Sequence, residues 1–409
     1  MQVTAPLWVG LLVGVAFGIP ASLWGIGNPE TVIRTARRID RLLLGCFLLV
    51  TAVGSVLLYG LHALGLAMHF SPRPLYLVGV TVGGVLFGIG AAISGYFPGT
   101  EMLALGEGRR DVLFAIPGGL LGAAAWTLLY QTPVGKWLVG AANFGDLVVT
   151  GDIDTVRPVP MLMIAVGYAA LCLMLLSFLP RYTGGKRSYL RDLATTTQDE
   201  HDRAFARDTA AYLSEGSVDP LRTGRESRFD RLTDVEVSSA NLHSRTIRLV
   251  GVLVAAVVVA SLFLRQAFGQ STTYSWVVGH LFAPNFDYSR EVFAAIGWEP
   301  LTDLGVIFGA MLSSIFISRR FTAFRPVIPP SWRGRFGSHP GKRAAGCFVG
   351  SFLVLFGARM AGGCTSGHTL SGGVQLSLSA WLFTAAMLAA LFLTARLVYR
   401  DALWRVRDV

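Results

Sequence analysis

Between Arg359 and Gly373 the chain reads RMAGGCTSGHTLSGG. Within fifteen residues it offers a thiol at Cys364, hydroxyls at Thr365, Ser366 and Thr369, an imidazole at His368, a guanidinium at Arg359 and five glycines, Gly363 among them. Hydroxyls and backbone N–H groups donate to anions, a protonated thiol adds a weak donor with a polarizable sulfur, and arginine supplies a permanent positive charge. His368 lies four residues after Cys364 and shares its face if the turn is helical. Together these groups suit a small anion. Bland readings stand beside this one: the glycines as helix-packing devices, His368 as a hydrogen-bonded structural residue, Arg359 as the partner of Asp303 or Glu101 in a structural ion pair.

The elements that must position these groups are membrane spans. A mean hydropathy of +0.54, with 53% hydrophobic and 15% charged residues, is too apolar for a soluble chain of 409 residues. Charge-poor runs of about twenty residues, enough to cross a hydrocarbon core of about 30 Å as a helix, occupy Leu7 to Ile26, Leu42 to His69, Leu75 to Phe97, Val112 to Tyr130, Pro160 to Leu179, Ile247 to Leu264, Leu301 to Ile317, Ala344 to Met360 and Leu378 to Val398. The expected fold is an all-α polytopic membrane protein of about nine transmembrane helices. The first run has neither a basic residue before it nor a cleavage signal, and reads as a retained span. With the N-terminus outside, the basic clusters at Arg34 to Arg41, Arg109 and Arg110, Arg181 to Arg187, Arg319 to Arg343 and Arg396 to Arg407 all fall on the cytoplasmic side, so the net charge of +10 reads as topology and no nucleic-acid partner is expected. Cys46, Cys172 and Cys347 have no polar neighbours in sequence and read as packed small hydrophobes. No hydrolase triad, phosphate loop, nucleotide fingerprint or zinc spacing is present; no cofactor, no metal site and no enzyme activity are expected.

The organisation is a first membrane half (1–180), a polar cytoplasmic linker of mixed charge (181–246) and a second membrane half (247–409). Phe87 to Thr100, FGIGAAISGYFPGT, and Leu355 to Thr369, LFGARMAGGCTSGHT, align with Gly90 on Gly357, Gly95 on Gly362 and Phe97 on Cys364. By the span order the two helices run oppositely, which makes the halves an inverted repeat with broken or re-entrant half-helices at its centre. FGIPASLWGIGNPETV (Phe17 to Val32) and GQSTTYSWVVGHLF (Gly269 to Phe282) read as weaker counterparts. In hydrocarbon such irregular backbone is tolerated only where it lines protein or a water-filled path, and each half-helix starting there aims N–H groups at an anion. The expected path residues are Cys364, Thr365, Ser366, His368, Arg359 and Gly363, with Phe97, Thr100, Ser271 and Thr272 from the other breaks.

AGGCTSGHTLSGG resembles a signature of the YeeE/YedE family of sulfur-transport membrane proteins, and SGYFPGTEMLALGEGRRDVLFAIPGGLLGA resembles the family's other signature, in which a glycine-rich helix leads to Cys-Pro-Gly-Thr and then Ala-Leu-Gly-Glu-Gly. STTYSW and GNPETV are similar to the family's shorter motifs, and the resemblance covers both membrane halves without the linker. It implies an hourglass-like inner-membrane protein that imports a small sulfur-containing anion such as thiosulfate past central cysteines, in company with a cytoplasmic sulfurtransferase-like partner. Cys364 takes the role of the second-half cysteine by that resemblance; the first-half position holds Phe97, so a two-thiol relay is incomplete unless Cys46 or another thiol substitutes. A carrier of another small solute without thiol chemistry, and a membrane sulfur relay with Cys364 as persulfide carrier, are the alternatives.

Overall fold

The spans carry almost no side chain able to satisfy a peptide group, so each closes its own backbone hydrogen bonds as a helix. The structure, a computed structural model, describes residues 3–38, 41–153, 156–179, 245–318 and 321–399. In chain order the helices are α1 (Val9–Leu23), α2 (Pro29–Ala36), α3 (Leu42–Ala63), α4 (Leu77–Ser94), α5 (Pro98–Gly106), α6 (Val112–Tyr130), α7 (Pro133–Gly140), α8 (Pro158–Phe178), α9 (Arg245–Leu264), α10 (Thr272–Leu281), α11 (Asp287–Ala295), α12 (Glu299–Leu312, continued by a π turn at Ser313–Ile317), α13 (Pro330–Phe336), α14 (Pro340–Met360) and α15 (Leu378–Val398). A two-residue hairpin, Leu147–Val148 against Gly151–Asp152, is the whole of the sheet among the described residues. The chain is thus an all-α polytopic membrane protein.

Among the described residues, seven helical segments are long and apolar enough to cross a membrane: α3, α4 running on through α5, α6, α8, α12 with its π turn, α14 and α15. The two remaining expected spans are present as shorter apolar helices, α1 and the Leu249–Leu264 part of α9. α1 ends at Leu23 after fifteen residues, whereas the whole of α9 runs over twenty. The expected linker, 181–246, lies outside the described residues except for its last two positions, which already belong to α9. The basic residues at 181–187, 319–320 and 400–407 also lie outside them.

Helix pairing follows a two-fold pattern. α1 packs on α12 and α9 on α3; α6 packs on α14 and α15 on α4; α4 and α14 cross each other. Exchanging α1 with α9, α3 with α12, α4 with α14 and α6 with α15 interchanges the first two of these contacts and the next two, and leaves the α4–α14 crossing in place. The aligned glycines follow it too: Gly95 and Gly362 both take left-handed backbone, with φ of +77° and +79°, where the helix must stop and turn. At the α4–α14 crossing, a Cβ on Gly83 would stand 2.5 Å from Gly357 O, and one on Gly357 2.4 Å from Gly83 O. Small residues there let two backbones touch in a solvent where no hydrophobic force presses helices together.

The outer surface is apolar. Met163 and Phe178 of α8 are 71% and 76% exposed, and Leu121, Leu128, Phe316 and Leu393 also face outward, as lipid contact requires. The face carrying Arg34 to Arg41, Arg109 and Arg343 differs from the solvated loops that its sequence suggests. There Arg343 donates to Asp111 Oδ2 from Nε (2.9 Å) and Nη2 (2.6 Å), Arg109 Nε reaches Glu107 Oε2 at 2.9 Å, and Arg37 Nη1 donates to Ser331 Oγ (2.8 Å), whose own hydroxyl donates to Glu30 (2.6 Å). These side chains are buried. Burial leaves a charge stable only with partners, so this basic face is a braced layer of ion pairs.

Candidate functional site

After Met360 the α14 backbone breaks at Ala361–Thr365 and restarts as a π turn over Ser366–Gly372. The turn is helical from the start, with His368 N donating to Cys364 O at 2.7 Å and Leu370 N to Thr365 O at 2.8 Å. Cys364 is 1% exposed and its Sγ lies 3.1 Å from Ser366 Oγ. His368 Nε2 donates to Ala361 O (2.9 Å), which ties the restart to the end of α14 and leaves Nδ1 buried without a hydrogen-bond partner. Its ring stacks on Phe383, centroids 4.7 Å apart. The histidine therefore braces the break while keeping one ring nitrogen free.

Arg359 does not pair with Asp303 or Glu101. Its Nε donates to Tyr288 Oη (3.0 Å) and its Nη1 to Ser271 Oγ (3.1 Å) and Thr272 Oγ1 (3.0 Å), so three hydroxyls from the α10 start and α11 hold a buried guanidinium in place. Its hydrogen-bond partners are hydroxyls, with the Glu299 carboxylate within electrostatic reach, whereas Arg343 is paired directly with Asp111. Gly363 and Gly367 face a second guanidinium: a Cβ on them would lie 3.6 and 3.8 Å from Arg73 Nε, and one on Gly269 3.6 Å from Arg73 Nη2. Arg73 Nε is buried without a hydrogen-bond partner. Arg73 therefore bridges the α9–α10 and α14 breaks, a site residue that the sequence reading missed. One signal was available: it is the sole Arg or Lys between Arg41 and Arg109, on the side where topology asks for none.

The other breaks contribute less to an anion site than expected. Thr272 N donates to Glu299 Oε1 at 2.5 Å, so a carboxylate fills the start of α10; Asn28 Oδ1 caps α2 at Glu30 N (3.0 Å). Thr100 Oγ1 is engaged with Phe97, accepting from its N–H (2.7 Å) and donating to its carbonyl (3.0 Å). Phe97 is 2% exposed and begins a row of rings: Phe47 at 6.4 Å, Phe87 at 5.4 Å, then Phe87 to Phe383 at 5.3 Å and Phe383 to His368. Sequence thus brings Phe97 and His368 into one aromatic wall. Cys46 is buried in the same apolar cluster as Phe97, and Cys172 packs with Ala52 and Ala169. Cys347 departs from the expectation of apolar surroundings: its Sγ lies 3.8 Å from Asp111 Oδ2, beside Arg343.

Broken helices that carry a buried thiol, with two guanidiniums at the same breaks, inside an all-helical bundle with an apolar surface, define a polytopic membrane protein with irregular backbone at its interior. The chain belongs to the sulphur transport family, whose profile matches residues 32–214 and 226–393. It is also similar to the "Thiosulfate transporter TsuA" of Spirochaeta thermophila, with 25% identity over 400 residues, 96% of this chain and 99% of that protein.

Proposed function

We propose that the chain imports thiosulfate, or a closely related sulfur anion, through a constriction in which Cys364, Ser366 and Thr365 receive the ion. The observation that carries this reading is the placement of Cys364 and Ser366, 3.1 Å apart, at a break overlooked by Arg73 and by an Arg359 bound only to hydroxyls. Family membership and the similarity to TsuA support it. Thiosulfate carries charge on its oxygens and a soft terminal sulfur. Guanidiniums and hydroxyls match the first; a neutral thiol, polarizable and a weak donor, matches the second while binding weakly enough to release. In this proposal the N-terminus is outside, the Arg73 and Arg359 end is the entrance, and the basic face is cytoplasmic, where a sulfurtransferase-like partner would take the ion.

The test is uptake of radiolabelled thiosulfate and sulfate into vesicles holding the purified protein. Saturable thiosulfate uptake is the expected result; movement of neither ion would refute the reading. Arg359→Gln is expected to lower uptake of divalent anions about tenfold, some 1.4 kcal/mol of barrier, and that of a monovalent anion such as nitrate much less. Equal losses for both would assign Arg359 a purely structural role. Phe97→Cys, which opens the aromatic wall and restores a second thiol, is expected to raise thiosulfate uptake severalfold in the same assay, and a fall would show that the ring is needed where it stands.

A further inference from the structure

Beside the anion site the membrane interior holds carboxyl groups that no cation pairs among the described residues. Asp303, in the second turn of α12, is 2% exposed and neither of its oxygens accepts a hydrogen bond. Thr273 and Gln270 turn their polar ends toward it without closing one, and Thr273 Oγ1 and Gln270 Nε2 are themselves buried without partners. Glu101 of α5, fully buried, accepts from Ser351 Oγ at 2.6 Å and from Tyr274 Oη. Tyr274 is thus hydrogen-bonded to one carboxyl and within electrostatic reach of the other, Asp303. Of the elements packed on α12, α1 brings no titratable group, α5 brings Glu101, and α10 brings Tyr274 and, at its exposed end, His280; Glu299 faces Asp303 from α12 itself.

An ionised carboxylate with no paired counter-charge is costly in the interior, most of all at Asp303, whose oxygens accept no hydrogen bond, and binding a proton removes the cost. The groups also line up toward the basic face. Cys347 sits one helical turn before Ser351 on α14, its thiol 3.8 Å from Asp111, and Asp111 lines a cavity of about 220 Å³ with Arg110, Phe114 and Pro340 on that face. We propose that Asp303, Tyr274 and Glu101 form a proton route through the membrane, beside the anion path, that couples anion entry to proton entry. The proton enters at Asp303. The Tyr274 hydroxyl accepts it while passing its own to Glu101, and Glu101 releases one toward Ser351 and the Asp111 cavity; only O–H bonds form and break. The proposal rests on the reading of the chain as a thiosulfate importer, and it gives that importer a driving force against an interior-negative membrane potential, which opposes a divalent anion.

The test uses proteoliposomes of the full chain and ³⁵S-thiosulfate, with the membrane potential clamped by valinomycin and potassium. An acid-outside gradient is expected to raise internal thiosulfate severalfold above the external level, a protonophore to abolish the excess, and equal acid on both sides to produce none. Asp303→Asn and Glu101→Gln are expected to keep downhill uptake and lose accumulation, and downhill uptake in either variant certifies that it folds. Wild-type uptake indifferent to the proton gradient, accumulation driven by a sodium gradient instead, or accumulation retained in both variants would overturn the inference while leaving the thiosulfate reading intact. No downhill uptake by the wild type would overturn both.

Discussion

Serine in place of Cys364 is expected to remove most thiosulfate uptake while the protein folds normally. The substitution keeps a donor beside Ser366 Oγ, which lies 3.1 Å from the thiol, and exchanges a polarizable sulfur for a smaller oxygen at a buried position, so packing changes little. What is lost is the soft contact for the terminal sulfur of the ion, and a hydroxyl in its place binds the oxygens of sulfate as readily as those of thiosulfate. A fall of at least about tenfold, equivalent to some 1.4 kcal/mol in the barrier, is expected for thiosulfate, with sulfate unchanged or raised. Vesicle uptake of the two ions side by side is the measurement, and undiminished thiosulfate uptake would take the thiol out of the path. The same variant separates a permease from a persulfide relay. A buried Cys364 is closed to a protein-borne sulfur donor, so a membrane-impermeant thiol reagent is expected to label the resting wild type slowly; fast labelling at neutral pH would favour the relay.

Valine at Gly357 is expected to cost the protein its fold. A Cβ there would stand 2.4 Å from Gly83 O and 2.8 Å from Phe87 N, both backbone atoms that move only if α4 and α14 separate. The same helices touch again where a Cβ on Gly90 would meet Gly350 O at 2.3 Å. Separation at one glycine therefore strains the other, and both broken ends hang from these two helices. A loss of about 3 kcal/mol or more, the upper range for overpacking, should appear as a lowered thermal midpoint in detergent and a small yield of monodisperse protein. A midpoint equal to wild type would mean that the two backbones do not meet.

Much of the fold is legible in the sequence because the bilayer imposes a single rule on it. Charge-free runs must be helices, and all nine expected spans appear as helices, seven of them of crossing length. The glycine alignment was legible for a similar reason: glycine turns a helix at positive φ with the least steric cost, so Gly95 and Gly362 marked the breaks in the sequence itself. The site was legible in part. Cys364 and Ser366 are local and lie 3.1 Å apart, while the ring of His368, joined to Cys364 only through the backbone, turns to Ala361 and Phe383.

The remainder depended on residues distant in sequence. Whether Arg359 was neutralised turned on Tyr288, Ser271 and Thr272, seventy or more positions away, and no local pattern distinguishes hydroxyl partners from carboxylates. Arg73 entered the site from a proline-flanked loop almost three hundred positions before Cys364, and Cys347 acquired Asp111 as a neighbour across the α6–α14 contact. The sequence by itself determined a helical membrane protein with paired breaks and one thiol at the second. Only the tertiary structure decided which charges stand open there and which are braced, because backbone solvation and chirality act locally along the chain while charge compensation is settled by whichever helices come to lie side by side.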